Sequence, residues 1–290
     1  MASILTDTKF GTLKVKSLLK QELADRLTPV EAFYRLRDYA PDPILLESSD
    51  YHAKEESHSF LCVDPMAEVK VHNGVLTSRI GKERRKLEFE KEGLDPGELL
   101  QEWLDNIHVE GKSKDVLRMN GVFGFTSFDA IKYYDGIEVN PVKDNRIPEM
   151  LYWFYRFVIV FDHFNYSIRY IENIPDGEES QMDAMLGQLG KPAGASFSFS
   201  AEDNRRSNIP DQTFLDMVSK AKYHCKRGDV FQLVVSRAFK RKYEGDEFML
   251  YRSLRSVNPS PYLFYFDYGS FKLMGSSPES HLVIEGTEAK

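Results

Sequence analysis

Cysteine is scarce: Cys62 and Cys225 are the only two in 290 residues. Two cysteines cannot build a disulfide framework or a four-cysteine zinc site, and their scarcity suits a reducing compartment, so a cytoplasmic setting is expected. A surplus of positive charge is also missing, since 38 lysines and arginines face 45 acids for a net charge of −7. No overall field therefore draws the chain to nucleic acid or to an anionic membrane, and small molecules or proteins are the expected partners. Long apolar runs are lacking too. The most apolar stretch, 151–161, is too short for a membrane span and is broken by Arg156. Residues 1–9 show no basic start followed by an apolar core, so no export signal is read there. The seven histidines are scattered, and neither a His-Glu-x-x-His pattern nor a phosphate-binding Gly-x-x-x-x-Gly-Lys loop is present. Gly121-x-x-Gly124 is too short to mark a phosphate cradle, and its glycines read instead as close backbone approach in a strand. Gly275-Ser276-Ser277-Pro278-Glu279 fails the nucleophile-elbow pattern, because Glu279 stands where the second glycine belongs.

What is present is a globular composition, 42% hydrophobic and 13% aromatic, which favours large buried sheets. Thr28-Pro29-Val30-Glu31 has the form of a capping box and starts a predicted helix running to about Asp38, stopped by Pro41 and Pro43. Strands are predicted at 44–46 and 59–63, and a hairpin over 68–80 turns at Asn73-Gly74, a dipeptide suited to positive φ. The charged stretch 82–92 leads to Asp95-Pro96, after which Leu99, Trp103 and Ile107 recur at helical spacing. Further strands are expected at 121–128, 151–162 and 167–173.

From Pro175 to Asn208 the chain is rich in Gly, Ser, Pro and acids, with a weak helical pattern at 182–189, and a domain boundary is expected there. Beyond it, Phe214, Met217, Val218, Ala221 and Cys225 line one helical face that Gly228 would cap. A buried strand over 230–239, a helix over 246–256, a hairpin of 263–268 with 271–275, and a last strand over 282–284 complete the reading. A β-rich unit ending there leaves an unpaired edge, so a further C-terminal part is expected. The fold class is α+β, with antiparallel sheets packed against helices.

Two segments suggest chemistry. Leu45-Leu46-Glu47-Ser48-Ser49-Asp50 sets a carboxylate and hydroxyls at the end of an apolar strand, where they could meet a ligand ammonium group or simply cap the strand. Asn258-Pro259-Ser260-Pro261-Tyr262 is a rigid, proline-fixed entry to a strand, with a structural turn as its plainer reading. These two segments, with Gly228-Asp229-Val230-Phe231-Gln232-Leu233-Val234-Val235-Ser236 between them and Gly275-Ser276-Ser277-Pro278-Glu279 after, occur in an order that strongly resembles anthranilate synthase component I. The last three also occur in aminodeoxychorismate synthase component I, which is the alternative.

The resemblance implies an incomplete anthranilate-synthase-like fold: a regulatory region over 1–175, a linker over 176–208 and the beginning of a chorismate-binding domain over 209–290. It implies a lyase that adds ammonia to chorismate and expels water and pyruvate to leave anthranilate, with magnesium in the full-length enzyme and ammonia from a glutamine amidotransferase partner. It also implies feedback by tryptophan, carried residue by residue onto Glu47, Ser48, Pro261, Tyr262, Leu263 and Phe264. In that reading Glu47 neutralises the ligand ammonium, and the 263–264 region offers apolar surface to the indole. Two departures stand out: Leu263 where the family commonly has methionine, and Ser57-His58-Ser59 where it has Arg-Tyr-Ser. The family's Gly-Thr-Arg-Pro-Arg-Gly motif and its magnesium ligands would follow Lys290, so no catalytic or metal-binding residue is assigned and this chain alone is expected to be inactive. A non-catalytic amino-acid-binding module is the alternative from a different class.

Overall fold

The computed structural model describes residues 4–5, 10–48, 57–111, 113–139, 146–192 and 197–289. Two compact units form, one from 1–194 with 254–290 and the other from 195–253.

In the first unit the chain begins with β1 (Ile4–Leu5), β2 (Leu13–Leu23), α1 (Pro29–Leu36), β3 (Ile44–Glu47), β4 (His58–His72), β5 (Val75–Ile80) and β6 (Glu83–Leu87). It continues through α2 (Phe89–Glu92), α3 (Pro96–Asp105), β7 (Ile107–Glu110), α4 (Lys114–Met119), β8 (Val122–Thr126), β9 (Met150–Asp162), β10 (Ser167–Pro175) and α5 (Met182–Leu189). Local chemistry sets several of these boundaries. Thr28 accepts a hydrogen bond from the Glu31 backbone N–H at 3.2 Å and Pro29 opens α1, while Asp95 accepts from the Gly97 N–H at 2.6 Å and Pro96 opens α3. Asn73 and Gly74 take φ values of 51° and 73° and turn β4 into β5. Glu149 fastens that turn, accepting from the Asn73 N–H and from Lys132 Nζ, both at 2.9 Å.

The long strands β4 and β9 pair antiparallel, from His58 opposite Asp162 to Val71 opposite Met150, with a register shift between Pro65 and Ala67. On one side of that shift β4 also pairs with β3 and β9 with β10; on the other side β4 pairs with β5 and β9 with β8. Two layers of apolar side chains result. Met150 and Phe154 of β9 join Val69, Leu76, Leu99 and Trp103, whereas Trp153, Tyr155, Val158 and Val160 join Ile44, Cys62, Phe266 and Tyr268. Burial on both faces is why β9 reads as a continuous apolar run rather than an alternating one. Arg156 interrupts it because Glu172, fully buried in β10, lies 3.2 Å away. The sheets are antiparallel except for the short parallel pairs β1–β6 and β2–β7.

The second unit contains β11 (Phe199–Ala201), β12 (Arg206–Ser207), α6 (Asp211–Arg227), β13 (Phe239–Lys240), β14 (Tyr243–Gly245) and the first part of α7 (Phe248–Val257). Gly228 ends α6 in the left-handed region at φ 79°. The chain then adds β15 (Tyr262–Asp267) and β16 (Lys272–Ser277) to the first unit, β15 pairing with β3, so the division expected along the sequence at 176–208 is not the whole of the division in space.

Four expectations differ from the structure. Of the strand predicted over 230–239 only Phe239 is realised, in the short β13, while Phe231 and Val234 lie exposed; an apolar run becomes a strand only where another strand offers it a ladder. Ile107 leaves the helical series, because α3 ends at Asp105 and Ile107 pairs with Leu13 in β2. The charged stretch 82–92 contains β6, paired to β5. In place of a strand over 282–284, β17 (Ile284–Glu285) and β18 (Glu288–Ala289) form a small hairpin, with Gly286 at φ 62° in its turn.

Candidate functional site

The ladder β4–β3–β15–β16 sets Phe60, Leu46, Phe264 and Gly275 in one row across four strands. Gly275 is required in this row by geometry: a Cβ there would lie 2.3 Å from the Phe264 ring, so the missing side chain lets that ring lie across the sheet. Side chains alternate between faces, which places His58 on the same face as Phe60, and Ser48, the residue after β3, lines the same cavity as His58 and Tyr262. An apolar row therefore stands beside a polar one.

A cavity of about 640 Å³ opens on these rows, walled by Leu46, Phe60, Phe125, Phe264, Phe266 and Leu273. Glu47, Ser48, Pro261, Tyr262, Leu263 and Phe264, the six residues singled out from the sequence, all line it. They do not contribute alike. Alternation turns the side chains of Glu47 and Leu263, which face each other across β3 and β15, away from the face that holds Leu46 and Phe264. Leu263 is buried and Glu47 is already engaged by Arg255, whose Nε lies 3.1 Å from its carboxylate. The aromatic wall comes instead from Phe60, Phe125, Phe264 and Phe266, of which only Phe264 was among the six. His58, Gly124 and Leu273 were likewise not among the six: His58 stood out only within the Ser57-His58-Ser59 departure and Gly124 only as a close-approach glycine, and strand register is what brings them to the cavity. Residues 49–50, part of the segment expected to bear hydroxyls and a carboxylate, lie outside the described residues.

Charge is balanced around the strand ends. Asp162 lies 3.3 Å from Arg169 Nη1 and 3.8 Å from His58 Nε2, and it also accepts from Asn165. Burial opposes its ionisation, yet the Asn165 hydrogen bonds together with His58 and Arg169 hold its carboxyl below the usual range. His163 sits 2.7 Å from Ser59 Oγ, and its imidazole is pushed down, first by burial and then by the nearby His58 and Arg255 charges, against the opposing pull of Asp162. In the unfolded chain His163 would take up its proton near the ordinary value, about 6.5, but in the folded chain only at lower pH. The unfolded state therefore binds more protons in that interval, and stability is expected to fall as pH drops below about 6.5. Urea midpoints measured across that interval should decline for the wild type, and the decline should be shallower in His163→Gln; equal slopes would remove His163 as a contributor.

Among the described residues no three His, Cys, Asp or Glu side chains come together where they could hold a metal ion. No helix of the described residues is long and apolar enough to cross a membrane.

Residues 43–290 match the family described as chorismate binding enzymes. The chain belongs to that family. The chain is 30% identical over 285 residues to anthranilate synthase component 1 of Thermus thermophilus, covering 94% of itself and 58% of that protein. With anthranilate synthase component 1 of Lactococcus lactis it shares 25% over 280 residues, 93% of itself and 59% of the relative. Aminodeoxychorismate synthase component 1 of Bacillus subtilis is 27% identical over 258 residues. The crystal structure of anthranilate synthase component I from Streptococcus pneumoniae superposes with a TM-score of 0.61 at 27% identity, over 92% of this chain and 59% of that one. The α+β fold is thus that of anthranilate synthase component I, and the chain spans less than two thirds of the length of the Thermus, Lactococcus and Streptococcus relatives.

Proposed function

We propose that this chain is the N-terminal and early catalytic-domain portion of an anthranilate synthase component I, and that its cavity is a tryptophan effector site. The whole enzyme would convert chorismate and ammonia to anthranilate, pyruvate and water in the cytoplasm. A glutamine amidotransferase subunit would supply the ammonia, and magnesium would be held by residues outside this chain. The observation that carries the effector reading is the convergence of the 46–48 and 261–264 segments, far apart in sequence, on one aromatic-walled cavity with polar groups at its rim. Aromatic walls suit an indole, which gains from both burial and edge-to-face contact. The Bacillus aminodeoxychorismate synthase relative supports a second reading for the whole enzyme, which mass spectrometry of the product separates: that product retains the pyruvyl group, whereas anthranilate has lost it.

Ser48 gives the direct test. By isothermal titration, Ser48→Ala is expected to weaken tryptophan binding by about 0.5–1.5 kcal/mol, the worth of one hydrogen bond. Ser48→Phe should fill the rim and abolish binding, with circular dichroism establishing that each variant is folded. A folded wild type that gives no heat with tryptophan, or a Ser48→Phe variant that binds as tightly as wild type, refutes the effector site.

A further inference from the structure

The second half of β2 is an uncovered sheet edge. Among the described residues β10 pairs with this strand from Val15 to Leu23, whereas β7 covers its other edge only from Leu13 to Lys16. Three hydrogen bonds give the backbone directions. On the β7 side the Leu13 N–H donates to the Asn106 carbonyl at 2.9 Å; on the β10 side the Lys14 carbonyl accepts from the Asp176 N–H at 3.1 Å and the Ala24 N–H donates to the Tyr166 carbonyl at 2.7 Å. Successive residues of a strand direct their backbone groups to alternate edges, so Leu19, Gln21 and Leu23 turn theirs to the uncovered one. Gln21, Glu22 and Leu23 are all exposed, Leu23 at 73%.

An edge of this kind is a template for another strand, and lysine is a residue that commonly guards it. β2 carries lysine at 14, 16 and 20, but Glu22 shares a face with Lys20, and the two side chains lie 3.3 Å apart. That spacing makes the edge self-complementary. A second β2 laid antiparallel with Gln21 opposite Gln21 sets Leu19 against Leu23 and Lys20 against Glu22, each pair twice by two-fold symmetry. Gln21 and the leucine pairs exchange the backbone hydrogen bonds, and the Lys20–Glu22 pairs fall between them, where opposing side chains come closest. Other registers fail. Centring on Lys20 or on Glu22 sets that residue against its own copy, centring on Leu23 sets Lys20 against Arg26, and centring on Leu19 or earlier needs the edge at Val15 that β7 occupies.

We propose that this edge joins two copies of the chain: β2 pairs antiparallel with the β2 of a second copy about a two-fold axis at Gln21, so that their sheets run on as one. The free backbone groups accept any extended strand; the spacing of Lys20 and Glu22 is what selects a second copy. The pairing is independent of the effector reading.

Sedimentation velocity of the 290-residue chain over about 1–200 μM tests this, since a small interface forms by mass action. The wild type should pass from monomer to dimer. Lys20→Glu and Glu22→Lys should each raise the dissociation constant about 10-fold or more, because symmetry sets two like-charged pairs opposite at once. The double exchange, Lys20→Glu with Glu22→Lys, makes the pairs opposite in charge again and should return the constant to within about threefold of wild type. Circular dichroism establishes that each variant is folded. Cross-linking fixes the register: with the exposed Cys225 replaced by serine, Gln21→Cys should form an intermolecular disulfide on mild oxidation. A folded wild type that stays monomeric throughout, a dimer that both charge reversals leave intact, a double exchange that fails to restore it, or a Gln21→Cys chain that does not cross-link overturns the proposal. A dimer that survives both reversals would be held by another surface, such as that of the exposed Phe231 and Val234.

Discussion

Replacing Arg156 by leucine is expected to lower the stability of the first unit by about 3–5 kcal/mol, the cost of leaving a buried charge without its partner. Arg156 lies inside β9 with its Nε 3.2 Å from Glu172, its Nη1 2.6 Å from Glu178 and its Nη2 donating to the Glu179 carbonyl at 3.0 Å. Glu172 is fully buried and also accepts from Ser180 Oγ at 2.6 Å and from the Gln181 N–H at 2.8 Å. One carboxylate therefore ties together β9, β10 and the entry to α5, and removing its cation strands it in apolar surroundings. Glu178, half exposed, can return to water and should account for little of the loss. Fluorescence-monitored urea unfolding reads this directly, since Trp103 and Trp153, the two tryptophans of the chain, both belong to the first unit. A double variant, Arg156→Leu with Glu172→Leu, should be more stable than Arg156→Leu alone, because no unpaired charge then remains inside. A loss below about 1 kcal/mol for the single variant would mean that Glu172 is relieved by protonation or by water.

A comparable loss, about 3 kcal/mol or more, is expected for Gly124→Ala, at the upper end of what overpacking costs. A Cβ at this position would lie 2.0 Å from the Leu151 carbonyl oxygen and 2.7 Å from the Tyr152 Cα. Both obstacles are backbone of β9, which is held by β4 on its other side, so no side-chain rotation relieves the contact and β8 has to move. Gly124 also lines the cavity, and its displacement should weaken tryptophan binding as well. Gly121 supplies the internal control: a Cβ there meets nothing within 4 Å, and Gly121→Ala should change stability by less than about 1 kcal/mol. Thermal melts of the two variants should therefore diverge. If both prove neutral, β8 does not approach β9 as closely as described.

The two glycines show where reading a sequence stops. A strand with close backbone approach was legible at 121–128, but nothing in Gly-Val-Phe-Gly distinguishes the glycine that β9 presses upon from the one that stands clear. The same holds in the second unit. The helix and its glycine cap at 228 were legible because capping depends on a few consecutive residues, whereas the apolar run after it, read as a buried strand, is exposed. Apolarity records that a segment favours burial, and pairing depends on whether another strand is in place.

By itself the sequence determined whatever is decided within a few residues. Thr28 and Asp95 begin helices by accepting their first free N–H groups, Asn73-Gly74 turns a hairpin by tolerating positive φ, and the ordered motifs from Leu45 to Glu279 point to the chorismate-binding family. Only the tertiary structure decided which face each residue of a strand serves, because a shift of one residue in register exchanges the faces. That choice set Phe60 beside Leu46 and Phe264, turned Glu47 and Leu263 to the other side, gave Arg156 its partner Glu172, and brought His58 to the cavity. Register between strands distant in sequence is fixed by the packing of both faces of the whole sheet at once, and no local stretch of the chain contains that information.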